Sequence, residues 1–584
     1  MANRNSGRNP VRWFAVASAG VLVSGVALAG SYADAASAGR PAASDKVFTQ
    51  DCTGDGASSG YKCGDVTVPL DYVQPKGPKL SIRVSIAKAT GKPEDRKGVI
   101  LFNPGGPGGS GLYWADSFPD SVRKAYDIIG FDPRGVGQSN PISCVDGSTF
   151  FAMPAADTQP SSKDDKAAFV KRAKDYADGC GTNSGSEIPY LTTANTAKDI
   201  DKIREAIGES KINYYGVSYG TYLGTVYAQL FPDKVNRMLL DSVMNASTAN
   251  LGYQGNLDQN VAFQNRIDLY FGWIAQYDSV YKLGKTKDDV QAAYTKARKA
   301  LKDKPVGVVG PDELDTMLLN SGYYDVYWLR NAQAFSDYVN KDDVSGIKSF
   351  VTNKYHDPRT ADNENSNAVY SAVECADSKW PTKWETWDQD NTDYDMKAPF
   401  ETWANAWMNL PCAYWNAKSH DPVEITGKDV PGIMLLQGTM DAATPYEGAV
   451  QTHKLLPGSR MIVEKGGGSH GLYNESWVNN SCIDKYATNY LLDGTLPDAD
   501  VTCDAHPLPK PKDTDKAGDT AKSTDTGSTE GDKVSSDSTT LKEIGDKANA
   551  AAVANPVGLG SKSVLGGVPA NPSKESATRI LGHK

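Results

Sequence analysis

Hydrophobic and polar positions change their rhythm several times along this chain. Over 65–72 (DVTVPLDY) and 80–89 (LSIRVSIAKA) they alternate, the period of a strand with one wet face. The Pro- and Gly-bearing stretch 74–78 joins the two into an expected antiparallel pair. Continuous apolar runs then take over: GVILFN at 98–103, YDIIGFD at 126–132, NYYGV at 213–217 and RMLLDSV at 237–243. Such runs predict strands buried on both faces. Helical segments stand between them; TANTAKDIDKIREAIG, starting at Thr193, has an expected N-cap at Thr196 and a glycine stop at Gly208. Alternation of this kind predicts a mostly parallel sheet covered on both sides.

From 245 to 424 the strand signal fades. QNRIDLYFGWIAQY, KDDVQAAYTKARKALKD and DDVSGIKSFVTNKY carry helical periodicity, and Trp273, Trp328, Trp384, Trp387, Trp403, Trp407 and Trp415 crowd the region. Strand-like runs resume with PGIMLLQG at 431–438 and RMIVEK at 460–465, on either side of a helix over 446–456. The fold class is therefore α/β, with a core in two parts, 47–244 and 425–506, interrupted by a helical cap domain over 245–424. From 507 to 584 Lys, Asp, Ser, Thr, Gly and Pro dominate, too little apolar surface to offset ordering, and a disordered tail is expected. A spacer role suits that tail, and nothing in it supports attachment to the cell wall.

Composition narrows the function. With 39% hydrophobic and 23% charged residues the chain is ordinary globular protein, and a net charge of −10 argues against nucleic acid or an anionic membrane as partner. Arg4, Arg8 and Arg12 precede an uncharged run over 13–29, and Ala33-Asp34-Ala35 supplies small residues for cleavage. That is a secretory signal over 1–35, too short and too rich in Ala and Gly for a membrane anchor. Neither a lipobox cysteine nor a twin-arginine pair is present, so the general secretion route is expected, with 36–46 left as a mature N-terminal segment or propeptide. Oligomeric state is not readable. Eight cysteines in an exported chain imply disulfides, and pairing sequence neighbours (Cys52 with Cys63, Cys144 with Cys180, Cys375 with Cys412, Cys482 with Cys503) closes the shortest loops. No C-x-x-C spacing suggests a metal, and no cofactor is expected.

Two glycine-rich stretches compete to carry the chemistry. Gly106, Gly108 and Gly111 fit the G-x-G-x-x-G spacing of a dinucleotide loop, and Asp132 follows at about the interval of 20 residues at which such folds place a ribose-binding acid. Pro107 lacks an N–H, however, and LYWADSFPD after the loop is a poor helix, so the cofactor reading fails. The second stretch, NYYGVSYGTYLG, holds G-x-S-x-G at 216–220 between an apolar run and a good helix, the setting of a nucleophilic serine at a strained strand-to-helix turn. Ser218 needs a base. His583 lies in the tail, His506 abuts Pro507, His356 and His420 fall in or beside the cap, and His453 sits mid-helix. His470, in VEKGGGSHGLY, remains, on a flexible glycine loop after a strand. Asp441 in LLQGTMDAATP is the favoured orienting carboxylate, with Asp241 in MLLDSV as rival. The first loop then supplies an oxyanion donor from Gly105 or Gly106, beside the N–H of Tyr219.

Together GGPGGSG, DPRGVGQS (132–139), GVSYGTYLG, GTMDAATP and GGSHG resemble the secreted bacterial tripeptidyl aminopeptidases, an α/β-hydrolase branch related to proline iminopeptidases. The resemblance runs from Cys52 to His506. It implies release of short peptides, often tripeptides, from free N-termini, with Ser218 as nucleophile, Asp441 as orienter and His470 as base. Reading a substrate ammonium calls for a carboxylate in the cap, and AVECADS offers Glu374 and Asp377. An esterase or lipase of the same fold is the alternative; a non-catalytic surface-binding module is a lesser one.

Overall fold

In the computed structural model, residues 46–511 are described, apart from 55, 58, 59 and 475–477. The signal segment, its cleavage site and the tail from 512 onward lie outside these residues.

Ten strands form one sheet: β1 (Gln50–Asp51), β2 (Tyr61–Pro69), β3 (Lys79–Ala87), β4 (Gly98–Asn103), β5 (Tyr126–Phe131), β6 (Ile212–Val217), β7 (Val235–Asp241), β8 (Met434–Gly438), β9 (Arg460–Lys465) and β10 (Val501–Asp504). Their spatial order is β1-β2-β3-β5-β4-β6-β7-β8-β9-β10. β1, β2 and β3 pair antiparallel, β3 meets β5 antiparallel, and every pairing from β5 to β10 is parallel. The uniform apolar runs explain this: β4, β5 and β8 are buried at every position, as strands between two helical layers must be.

Two expectations need correction. β3 has no wet face: Arg83 and Ser85 are buried, because Ser85 Oγ donates to Leu112 O and the Arg83 N–H donates to Ser139 Oγ, loops folding over that side. The Thr193–Ala206 helix is capped one turn earlier than expected, by Thr192, whose hydroxyl accepts from Asn195 N. Thr196 lies inside the helix and back-bonds to Thr192 O. β10 was not foreseen; its Val501–Asp504 run is short and only half apolar, and it is held against β9 beside the Cys482–Cys503 bridge.

Between β7 and β8 the chain forms a series of helices, the longest being Tyr253–Gln276, Lys287–Asp303 and Ala361–Asp377. Lys287–Asp303 shows why they form: Thr286 and Asp289 close a reciprocal capping box, and Val290, Tyr294, Ala297 and Leu301 make one buried stripe. Four disulfides are closed, Cys52–Cys63, Cys144–Cys180, Cys375–Cys412 and Cys482–Cys503. Among the described residues no helix is long and apolar enough to cross a membrane.

Candidate active site

Ser218 stands between β6 and the helix Tyr219–Leu230, with φ 59° and ψ −128°. A side chain pays in strain for that conformation, and here the neighbours enforce it. A Cβ on Gly216 would strike Gly220 O, and one on Gly220 would strike Asn103 O, so both positions must be glycine for the helix to approach this closely. The Ser218 N–H donates to Asp241 O at 3.0 Å, anchoring the turn to the end of β7.

Asp441 lies just beyond β8. Its Oδ1 accepts from Ala443 N at 3.0 Å and Thr444 N at 3.1 Å, and its Oδ2 from Thr444 Oγ1 at 3.0 Å. His470 Nδ1 meets both carboxylate oxygens, at 3.0 and 2.9 Å, with both side chains fully enclosed. An ionised carboxylate only accepts, so the shared proton sits on Nδ1 and Nε2 presents a lone pair. Nε2 is sealed from solvent and has no hydrogen-bond partner, the Ser218 hydroxyl included. Catalytic hydrogen bonds are often long or misaligned before substrate arrives.

Asp241 does not touch the imidazole. Its carboxylate accepts from Leu472 N, Tyr473 N and the Tyr215 hydroxyl, and burial, the largest influence, pushes it up to about 6. Gly471 N donates to Ser242 Oγ next door. The end of β7 thus holds the Ser218 turn through its carbonyl and the His470 loop through its side chains. That loop is closely packed: a Cβ on Gly468 would run into the guanidinium of Arg266. Arg266 was not singled out from sequence. It is fully buried, stacks on Trp328 with 4.8 Å to the ring centroid, and pairs with Asp325; burial lowers it to about 10 while Asp441 and Glu464 pull the other way. Only the tertiary fold brings it here, so no local signal marks it.

The two oxyanion candidates on the first loop separate. The Gly105 N–H is donated to Asn103 Oδ1 at 3.0 Å, whereas Gly106 lines the cavity that holds Ser218 and Tyr219. Tyr219 opens its helix, where backbone N–H groups lack intrahelical acceptors. Asp132 is engaged internally, accepting from Ser110 Oγ at 2.5 Å and Gln138 N at 2.8 Å, so it pins this loop.

This cavity, about 650 Å³, lies between the serine turn, the helix Tyr253–Gln276 and the start of the helix Tyr446–Leu455. Glu374 also lines it, pushed up to about 8 by burial and then by Asp377. Asp377 does not line it; both its oxygens face Thr193 N, and burial raises it to about 6. The helix bearing Glu374 is fixed by the Cys375–Cys412 bridge and by Trp380 Nε1 donating to Glu374 O. Among the described residues no cluster of three or more His, Cys, Asp or Glu side chains could hold a metal ion.

Fold and site define an α/β-hydrolase with a serine at its elbow, and the matches agree. The α/beta hydrolase fold model matches residues 98–279 and the TAP-like protein model residues 398–503. A tripeptidyl aminopeptidase of Streptomyces lividans is 47% identical over 486 residues, covering 82% of this chain and 90% of that one. The serine protease Hip1 of Mycobacterium tuberculosis is 28% identical, covering 76% and 87%. Carboxylesterase B of the same organism is also 28% identical, covering 76% and 86%. The chain belongs to the tripeptidyl aminopeptidase family and is a serine aminopeptidase-like hydrolase.

Proposed function

We propose that this chain is a secreted serine exopeptidase that releases short peptides, tripeptides foremost, from free N-termini through a Ser218–His470–Asp441 triad. The observation that carries the reading is the buried Asp441–His470 pair with its open Nε2, tied through β7 to the strained Ser218 turn. Ser218 Oγ attacks the scissile carbonyl as Nε2 takes its proton. The Gly106 and Tyr219 N–H groups receive the oxyanion, each worth about 3 kcal/mol of transition-state stabilisation. Nε2 returns the proton to the leaving amine, and water attacks the acyl-enzyme with the same base. Asp441 keeps Nδ1 protonated and the ring aimed.

Glu374 gives the site its preference for a free N-terminus. A carboxyl held near neutrality by burial ionises when an ammonium arrives beside it, and the pair is then charge-assisted. Four disulfides and the signal pattern favour an extracellular location.

A tripeptide anilide with a free amine, compared with its N-acetylated twin, tests the reading. The free form should turn over at least tenfold more efficiently in kcat/KM, with intact tripeptide detected by mass spectrometry. Equal or faster turnover of the acetylated form, or hydrolysis of simple esters alone, supports the second reading instead. That reading, an esterase, draws on the carboxylesterase relative.

A further inference from the structure

The loop that carries His470 is held from two directions. The sheet holds its ends: Gly466 N donates to Thr439 Oγ1, Met440 N donates to Gly467 O, and the N–H groups of Gly471, Leu472 and Tyr473 donate to Ser242 and Asp241. The middle of the loop, residues 468–470, is met by the helical insertion. His470 N donates to Tyr323 O at 2.8 Å, and Asp325 N donates to Ser469 Oγ at 3.3 Å. The Tyr323 ring stands edge-on to the imidazole, with 5.8 Å between centroids. Gly468 has the Arg266 guanidinium against it, since a Cβ there would lie 2.5 Å from the guanidinium carbon.

Arg266 joins these contacts into one support. It is fully buried on the helix Tyr253–Gln276, its guanidinium lies over the Trp328 ring, and it pairs with Asp325, whose other oxygen accepts from His506 Nε2. One flat cation therefore packs on the backbone of Gly468 and, through Asp325, fixes the segment that holds Ser469 and His470. Arginine suits the place because its planar fork can stack, pair and pack at once, which a compact ammonium cannot. Val261, Ala262 and Asn265 of the same helix line the cavity of Ser218, so the helix that walls the substrate space also carries this support.

We propose that Arg266 is a positioning residue for the base, setting the loop so that His470 Nε2 is aimed at the Ser218 hydroxyl. The proposal rests on the Ser218–His470 pairing given above, though not on the choice of substrate. A misplacement of about 1 Å can cost about 10²-fold in rate, whereas the cavity walls that bind substrate are left in place. The expected mark of lost support is thus a fall in kcat at constant KM.

Labelling of Ser218 by a fluorophosphonate on the full chain reads the base without any peptide substrate. Arg266→Met should slow labelling at least tenfold and lower kcat on a free-amine tripeptide anilide to match, with KM within twofold of wild type. Gly468→Ala, which pushes a methyl group into the guanidinium, should also slow labelling at least tenfold. The two losses should not multiply in the double variant, because removing the guanidinium removes the obstacle; its rate should lie within threefold of Arg266→Met alone. Arg298→Met is the control, since it breaks buried pairs with Asp157 and Asp315 elsewhere; it should slow labelling less than twofold whatever melting temperature it loses. If Arg266→Met fails to fold, Arg266→Lys, which keeps a cation beside Asp325 but not the flat fork, takes its place and should slow labelling at least threefold. Labelling of the Arg266 variant within twofold of wild type, losses that multiply with Gly468→Ala, a rise in KM alone, or equal slowing by Arg298→Met overturns the proposal. Wild-type labelling indifferent to His470→Gln overturns the triad reading beneath it, and the proposal with it.

Discussion

Two buried histidines near the carboxyl ends of β8 and β9 are built alike and finished differently. His470 gives Nδ1 to Asp441 and leaves Nε2 without a partner. His506 gives Nδ1 to Glu464 at 2.8 Å and Nε2 to Asp325 at 2.9 Å, so neither ring nitrogen is spare. Both rings are sealed, at 0% and 2% side-chain exposure, so burial does not separate them. What separates them is the open nitrogen. In the reading proposed above the first ring moves a proton; the second ties Glu464, at the end of β9, to Asp325, which Arg266 also pairs.

The largest expected effect divides the two directly. His470→Gln should lower kcat by roughly 10⁴–10⁶-fold while the melting temperature stays within a few degrees. His506→Gln should do the reverse, retaining most of kcat but costing about 3–5 kcal/mol, because two buried carboxylates lose their common partner. Chemical denaturation with parallel kinetics reads both, and equal loss of activity in the two variants would break the comparison.

Next come the carboxylates. Asp441→Asn should drop kcat by about 10⁴, since the amide donates to Nδ1 and turns the tautomer round. Asp241→Asn should act mainly on stability, because it disturbs the acceptors for Leu472 and Tyr473 N–H rather than the ring. If Asp241→Asn matched Asp441→Asn in kcat at unchanged stability, the rival assignment would be right.

A smaller effect concerns two glutamates shifted in opposite directions. Glu374 is raised to about 8, so its ionisation opposes folding, and the fold loses stability from this group as pH climbs from about 4.3 through 8. Glu464 is held below its usual range, burial being outweighed by bonds from His506 and Asn480. Its contribution is present above about 4.3 and is lost as pH falls through its lowered value. Glu374→Gln should therefore raise the melting temperature at pH 9 but hardly at pH 4, while raising KM for free-amine peptides about tenfold and leaving N-acetylated substrates alone. A KM rise shared by both substrate forms would remove Glu374 from amine recognition.

The parts of this molecule that were legible in sequence are those whose cause is local. Buried parallel strands need unbroken apolar runs, so GVILFN and YDIIGFD announced β4 and β5 residue for residue at their starts. The serine turn needs glycine on both sides, and with only 6 histidines in the chain elimination already pointed to His470, which the structure seats against Asp441. The His506 network was missed for the opposite reason. His506, Asp325, Arg266 and Glu464 share no motif and lie on four separate segments, so only folding makes them neighbours. The glycines before His470 carry a second meaning that sequence did not show: a Cβ on Gly468 would meet the Arg266 guanidinium and one on Gly467 the Glu464 carboxylate. Of Glu374 and Asp377, three residues apart on one helix, only the first lines the cavity of Ser218, a difference of rotation that their spacing alone did not resolve.

The central claim is that Ser218 is a nucleophile made reactive by His470. Treating the intact protein with a fluorophosphonate and mapping the adduct by peptide mass spectrometry tests it most directly. The account predicts a single stoichiometric adduct on Ser218, absent from Ser218→Ala and slowed by at least a thousandfold in His470→Gln. An adduct on another residue, or one on Ser218 that forms as fast without His470, would contradict it.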